Sequence, residues 1–385
     1  MKTLGRRAGA LVTAATAVAV LIGAGTPAEA GNVWKQRADA SYQALQSHLY
    51  LGAAQHNLYL ERYPKQAEDN AFSYLWPMRE ATAATLDVGG DVDTRFDALE
   101  LYWGTRNGLD GYQSYLPAPI GGGGDIFYDD NTIVGLEYVR QYAFTRDPAA
   151  LAQARKAFSV VSRAWSADAS LPCPGGMHWV EADWTNIRAA NVTGLAAELA
   201  AHLYEDTRER SYLDWAKRLY DWNRTCLRSP EGLYWNDIGV DGAINQTLWT
   251  YNSGAMIGAG ALLYRSTGDP TYRRLAKQDA VAALAYWSQG DRYFGQPAIF
   301  NAILFKNLLL LHSVAPDRAY RPFVERYATH IWDNNRDPSL GLFRFPPSGG
   351  GPYDPSYRPE TLEQSAAIQI FAALAWSPRD YGRIA

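Results

Sequence analysis

The chain is poor in several of the things on which function is often built. Only two cysteines are present, Cys173 and Cys226, and the six histidines are scattered with no H-E-x-x-H pair. Two thiols and dispersed imidazoles do not make a zinc site, so no metal is expected. Whether the two cysteines pair stays open, because the sequence does not place their Cα atoms. A basic excess is missing too: 36 Lys and Arg stand against 40 Asp and Glu. That balance argues against nucleic acid as a partner, since phosphate contacts need clustered cations. There is no Gly-Lys-Ser/Thr ending of a phosphate loop and no G-x-G-x-x-G after a strand-like run. Beyond residue 30, no apolar run approaches the roughly 18 residues that a membrane span needs. Strand-like alternation is confined to short pieces such as GLYWND (232–237) and GLFRF (341–345).

What is present begins with Lys2, Arg6 and Arg7, an apolar stretch over residues 11–25, and a small-residue site at Ala28-Glu29-Ala30. This pattern reads as a secretory signal peptide over residues 1–30 and predicts an extracellular protein, free or associated with a cell wall. Without those residues the net charge falls from −4 to −6, because three basic residues and one acid leave. No Pro/Ser/Gly linker divides residues 31–385, so a single domain is expected there; the protein is also expected to be a monomer. Twenty-five Tyr and 13 Trp exceed the needs of a core this size and suggest a sugar-binding cleft.

Three segments look alike, each ending one helix, turning through a Thr-x-Asp/Glu corner and starting another. Their threonines are Thr145, Thr207 and Thr267, spaced by 62 and 60 residues. A period near 60 is internal repetition. In one unit Tyr212, Trp215, Ala216, Leu219 and Trp222 share a helix face, while Asp214, Lys217, Arg218 and Asp221 lie elsewhere. Each unit is a helical hairpin, and the length accommodates about six. Long aromatic-rich connections (166–185 and 229–249) alternate with short corners, which favours a closed (α/α)6 barrel with a decorated mouth over an open solenoid. The expected fold class is therefore all-α.

The stretch GGGGDIFYDDN (121–131) sets four glycines ahead of two adjacent carboxylates. The ordinary reading is a surface loop with Asp129, Asp130 or Asn131 capping the helix that follows. Two further segments, 175–200 and 242–263, share the order glycine, aromatics, Asn, then a small-residue helix. In a closed ring these three helix starts converge, placing Asp129 and Asp130 among Trp179, Trp184, Trp249, Tyr251 and Asn252. Two carboxyls in such a cleft suit glycoside cleavage, one as acid and one as nucleophile or base. Consecutive Cα atoms about 3.8 Å apart let diverging carboxyls approach the roughly 5 to 5.5 Å expected for retention. Mutual repulsion raises one pKa and keeps that group protonated. Of the other acids, Glu181 is expected on the surface, Asp183 and Asp237 are minor candidates, and Asp87 to Asp97 reads as solvated loop.

YDDN (128–131), GGMHW (175–179) followed by Asn186 and Asn191, the helix pair from Leu203, Asp241-Gly242, WTYNSG (249–254) and LYRSTGDPTY (263–272) together resemble glycoside hydrolase family 76. The family comprises bacterial endo-α-1,6-mannanases and related fungal wall mannosidases, and the resemblance runs over residues 102–310. It implies an (α/α)6 barrel, retaining hydrolysis of α-1,6-linked mannan, and no metal or organic cofactor. Asp129 matches the family's nucleophile and Asp130 its acid/base. Tyr128, Asn131, Trp179, Asn186, Asn191, Trp249, Tyr251 and Asn252 are expected at the sugar. The sequence departs from the family pattern at Asn301, Lys306 and Arg188, which bears on the subsites more than on the chemistry. A transglycosylase with the same covalent intermediate, and a non-catalytic sugar binder on the same scaffold, are the alternatives.

Overall fold

The computed structural model describes residues 27–346 and 354–384. The expected leader lies outside them except for its last four residues. The described chain is mostly helical: α1 (Pro27–His48), α2 (Leu75–Val88), α3 (Asp93–Glu100), α4 (Tyr128–Thr145), α5 (Pro148–Val161), α6 (Ala190–Thr207), α7 (Arg210–Cys226), α8 (Thr250–Thr267), α9 (Pro270–Ser288), α10 (Ala298–Val314), α11 (Tyr320–Asn334) and α12 (Thr361–Ala375). Helices α2, α4, α6, α8, α10 and α12 pack each on the next, and α12 packs back on α2. Outside them, α5 lies on α4, α7 on α6, α9 on α8 and α1 on α12.

Composition explains which helices go inside. The first fourteen residues of α6 and of α8 are all buried, and they are rich in Ala and Gly. Small residues let backbones approach: a Cβ added at Gly254 would sit 2.7 Å from the Leu304 Cα. The outer α7 is amphipathic instead, burying Leu213, Ala216, Leu219 and Trp222 while Asp214, Arg218 and Asp221 face water.

The repeating threonine is the last residue of α4, α6 and α8 alike. Each hydroxyl donates to the carbonyl four residues back (Gln141, Leu203, Leu263; 2.8, 2.6 and 2.6 Å). Each also accepts the N–H two residues on (Asp147, Glu209, Asp269; 3.2, 3.1 and 3.1 Å). The residue between is left-handed, with φ of 57° at Arg146, 61° at Arg208 and 72° at Gly268. Asp147 and Asp269 then cap the next helix, which opens on proline. The sequence period is thus the recurrence of one corner.

The structure adds short strands to the expected all-α fold and corrects one reading. Strands β1 (Trp103–Arg106) and β2 (Leu109–Tyr112) form a hairpin across Asn107-Gly108, both at positive φ (51° and 78°); Asn-Gly is the usual signal for such a turn. The segment from Asp87 to Asp97 is not solvated loop: it closes α2 and opens α3, and Asp87 pairs with buried Arg140. Strands β3 (Arg188–Ala189), β4 (Trp235–Ile238) and β5 (Ile244–Leu248) make an antiparallel sheet in that order. Since β3 runs directly into α6 and β5 ends just before α8, this sheet fixes two helix starts side by side.

Cys173 and Cys226 form a disulfide with their Cα atoms 6.0 Å apart. It ties the loop ahead of Trp179 to the end of α7. Arg188, counted above among departures that bear on the subsites, is buried and grips the same loop. Its guanidinium donates to the carbonyls of Pro172, Cys173, Gly175 and Gly239 at 2.7 to 3.1 Å. The bridge spans a sequence separation of 53, for which loop-closure entropy gives roughly 4 kcal/mol. Replacing both cysteines by alanine is expected to lower the urea midpoint by an amount equivalent to about 2–4 kcal/mol. An unchanged midpoint would mean that Arg188 and the Trp222 indole, which donates to the Cys173 and Pro174 carbonyls, hold the loop without the bridge.

Candidate active site

On four of the six inner helices the second residue lines one cleft, and residues four apart on a helix share a face. On α2, α4, α6 and α8 that second residue is Trp76, Asp129, Asn191 and Tyr251. These four, with Asp130, line a narrow cleft floored by Ile133, Leu195 and Ile303. Gly121 and Gly124 serve close packing on the way in: a Cβ on Gly121 would meet the Leu116 carbonyl at 2.3 Å, and one on Gly124 the Ser114 Oγ at 2.2 Å, whereas Gly122 faces open space. No Asp or Asn side chain caps α4; Phe127 is its N-cap.

The two carboxyls occupy different environments. Asp129 Oδ2 accepts from the Trp179 indole and from Asn191 Nδ2, each at 2.8 Å, and Oδ1 accepts the Asp130 N–H at 3.1 Å. Burial pushes Asp129 up to about 6, and those donors oppose the rise. Asp130 is pushed well above the carboxylate range by burial first, then by the charges of Asp129 and Glu80. Burial raises both, and only Asp129 has hydrogen-bond donors that favour its anion.

The expected sugar-contacting residues divide. Trp179, Asn191 and Tyr251 reach the acids or their cleft. Tyr251 stacks on Phe300 (centroids 4.0 Å, interplanar angle 10°), Trp249 meets Phe300 edge-on, and Trp76 stacks on Phe300 at 5.9 Å and 21°. Four residues lie elsewhere. Asn131 is fully buried and spends its amide on the backbone of Tyr112 and Phe127, latching β2 to α4. Asn252 is also fully buried and does not line the cleft. Tyr128, whose hydroxyl meets Glu181, shares a separate outer pocket with His178, Glu181 and Asn186. Asp183 lines that pocket too, while Asp237 accepts from Asn236 and Asn245 on the rim sheet.

Trp76 and Phe300 were not anticipated. Both are at helix starts, as Tyr251 is, and that shared position was the available signal.

Beneath the apolar floor lies a charged layer. A small cavity is lined by Arg79, Glu80, Glu198, Lys306, Asn307 and Gln369 among others. Glu80 accepts from the Trp76 indole (3.0 Å), Arg79 (2.7 Å) and Gln369 (2.7 Å). Arg79 continues to Glu137 at 3.0 Å and to the Ile133 carbonyl at 3.1 Å. This locks α2 to α4 directly under the acids. Burial pushes Lys306 down to about 8 and Glu198 well up. Asn301 is buried against the Tyr293 carbonyl and Lys306 lies in this deep layer, so neither departure reaches the cleft.

Among the described residues no group of three or more His, Cys, Asp or Glu is arranged to hold a metal ion. No described helix is long and apolar enough to cross a membrane.

Residues 33–380 match the sequence profile described as Glycosyl hydrolase family 76. The mannan endo-1,6-alpha-mannosidase DCW1 of Saccharomyces cerevisiae is 26% identical over 156 residues, which are 38% of this chain and 34% of that protein. The chain thus matches about a third of the length of the curated relatives. Among solved structures, a family 76 glycoside hydrolase from a bovine Bacteroides thetaiotaomicron strain superposes with TM-score 0.76 at 23% identity, covering 89% of this chain and 77% of its own. An α-1,6-mannanase of Salegentibacter, in an inactive variant with two adjacent aspartates changed to asparagine and α-1,6-mannotriose bound, superposes with TM-score 0.69 at 22% identity over 89% of this chain and 99% of that one.

Proposed function

The chain belongs to glycosyl hydrolase family 76, and from that premise we propose that it is a secreted, monomeric, retaining endo-α-1,6-mannanase built as an (α/α)6 barrel of six helical hairpins. The observation that carries the reading is the contrast between adjacent carboxyls in one cleft. Asp129 is the nucleophile: three donors stabilise its anion, and Oδ1, with a single donor, keeps a lone pair for attack. Asp130 is the acid/base, kept protonated by its burial and by negative neighbours.

In the first step Asp129 Oδ1 bonds to the anomeric carbon as the glycosidic C–O bond breaks, and Asp130 gives its proton to the departing oxygen. In the second, water attacks that carbon, Asp130 takes the water proton, and the ester to Asp129 breaks with the original anomeric configuration restored. The aromatic wall of Trp76, Trp249, Tyr251 and Phe300 suits the apolar faces of sugar rings. The α-1,6-mannan substrate is supported by the fungal relatives and by the mannotriose complex of the Salegentibacter enzyme. Export is supported by the Cys173–Cys226 bridge, which belongs to oxidising compartments.

The test is incubation with a panel of α-linked mannans and glucans, with product sizing and early-time anomer analysis by NMR. Oligosaccharides from α-1,6-mannan that first appear as the α-anomer are expected. Release of the β-anomer would overturn retention, and inertness towards every mannan would overturn the substrate.

A further inference from the structure

Trp184 is the one tryptophan among the described residues that stands mostly in solvent, 57% exposed. An exposed indole gains little for stability, yet this one is tied down. Its N–H donates to Asp125 Oδ2 at 3.0 Å, and Asp125 lies 3.5 Å from Arg106 on β1. Its aromatic neighbours meet it at steep angles: Trp179 at 5.7 Å and 82°, Phe127 at 6.2 Å and 55°. Neither is stacked flat on it, so a broad ring face stays bare. Trp179 in turn donates to the nucleophile's Oδ2. The bare face is therefore one residue beyond the wall of the reacting centre, on the rim.

We propose that Trp184 is a stacking platform for a mannosyl unit remote from the bond being cleaved, so that it sets the preference for long chains over short ones. The inference rests on the mannanase reading. A pyranose presents an apolar face of C–H groups, and a fixed indole receives it without first losing side-chain entropy. Binding energy gained at a remote unit is available only to substrates long enough to reach it.

The experiment compares kcat/KM on a short α-1,6-manno-oligosaccharide with that on long α-1,6-mannan, for the unaltered protein, Trp184→Ala and Trp184→Tyr. Taking the ratio within one preparation cancels any loss of folded protein. Trp184→Ala is expected to lower the long-to-short ratio about tenfold, the size of one lost aromatic contact, and Trp184→Tyr to recover part of it. An equal loss on both substrates would show that Trp184 merely braces Trp179 and would overturn the platform, as would no loss on either. Inactivity of the unaltered protein on both substrates would instead overturn the mannanase reading, and the platform with it.

Discussion

Asp129→Asn and Asp130→Asn are each expected to reduce oligosaccharide release from α-1,6-mannan by about 10³-fold or more, with thermal midpoints close to that of the unaltered protein. The amide is isosteric, so Trp179 and Asn191 keep a carbonyl oxygen to donate to at position 129. What disappears is the attacking electron pair in one variant and the transferable proton in the other. The two are separable: Asp130→Asn should still form the covalent ester from an aryl mannoside whose leaving group needs no proton, and Asp129→Asn should not. The pH dependence has a definite sign. Asp129 must be ionised, so activity falls as the pH drops through about 6. Asp130 must be protonated, and because its pKa is raised well above the usual range, the alkaline fall comes only when that proton is lost. Unchanged turnover in either variant would remove that residue from the chemistry.

Glu363→Gln is expected to stabilise the fold at pH 8 by on the order of 4 kcal/mol and to leave it nearly unchanged at pH 4 to 4.5. Glu363 lies in the first turn of α12, is 8% exposed, and accepts the Ile299 N–H at 3.2 Å. Burial first, then Glu360, pushes it up to about 8, although backbone donors at the start of α10 oppose the rise. An acid whose folded pKa exceeds its unfolded one favours the native state at low pH, and that advantage is lost as the pH rises from about 4.5 to 8. Glutamine keeps the acceptor for Ile299 and has no proton to lose. His202, pushed down to about 3 by burial and nearby arginines, has the opposite trend on the acid side. Comparing the two proteins at each pH isolates Glu363. Equal urea midpoints at pH 8 would show that Glu363 is already neutralised by a partner when ionised.

Much of this molecule was legible in its residues. The threonine corners, the YDD start of α4 and the amphipathic face of α7 are local patterns, set by hydrogen bonds and periodicities within a few residues. The paired acids could be assigned to a cleft because their neighbours in the repeat also begin inner helices. Other parts depended on distant contacts. Trp76 belongs to the segment before the repeats and reads as an ordinary core tryptophan until α2 closes against α4 and α12. The deep layer of Arg79, Glu80, Glu137 and Lys306 draws on three helices and has no signature in any one of them.

Tyr251 and Asn252 show where the boundary falls. Both were expected at the sugar, and only Tyr251 reaches the cleft. Adjacent residues on a helix point about 100° apart, so neighbours need not share a cleft: Asp129 and Asp130 on α4 both reach it, whereas on α8 Tyr251 does and Asn252 does not. The sequence determined that a helix starts there with an aromatic and an amide. Which of them looks inward depends on the rotation of α8 about its own axis, and that was decided by its packing against α6 and α10, where Gly254 and Gly258 admit the neighbouring helices most closely.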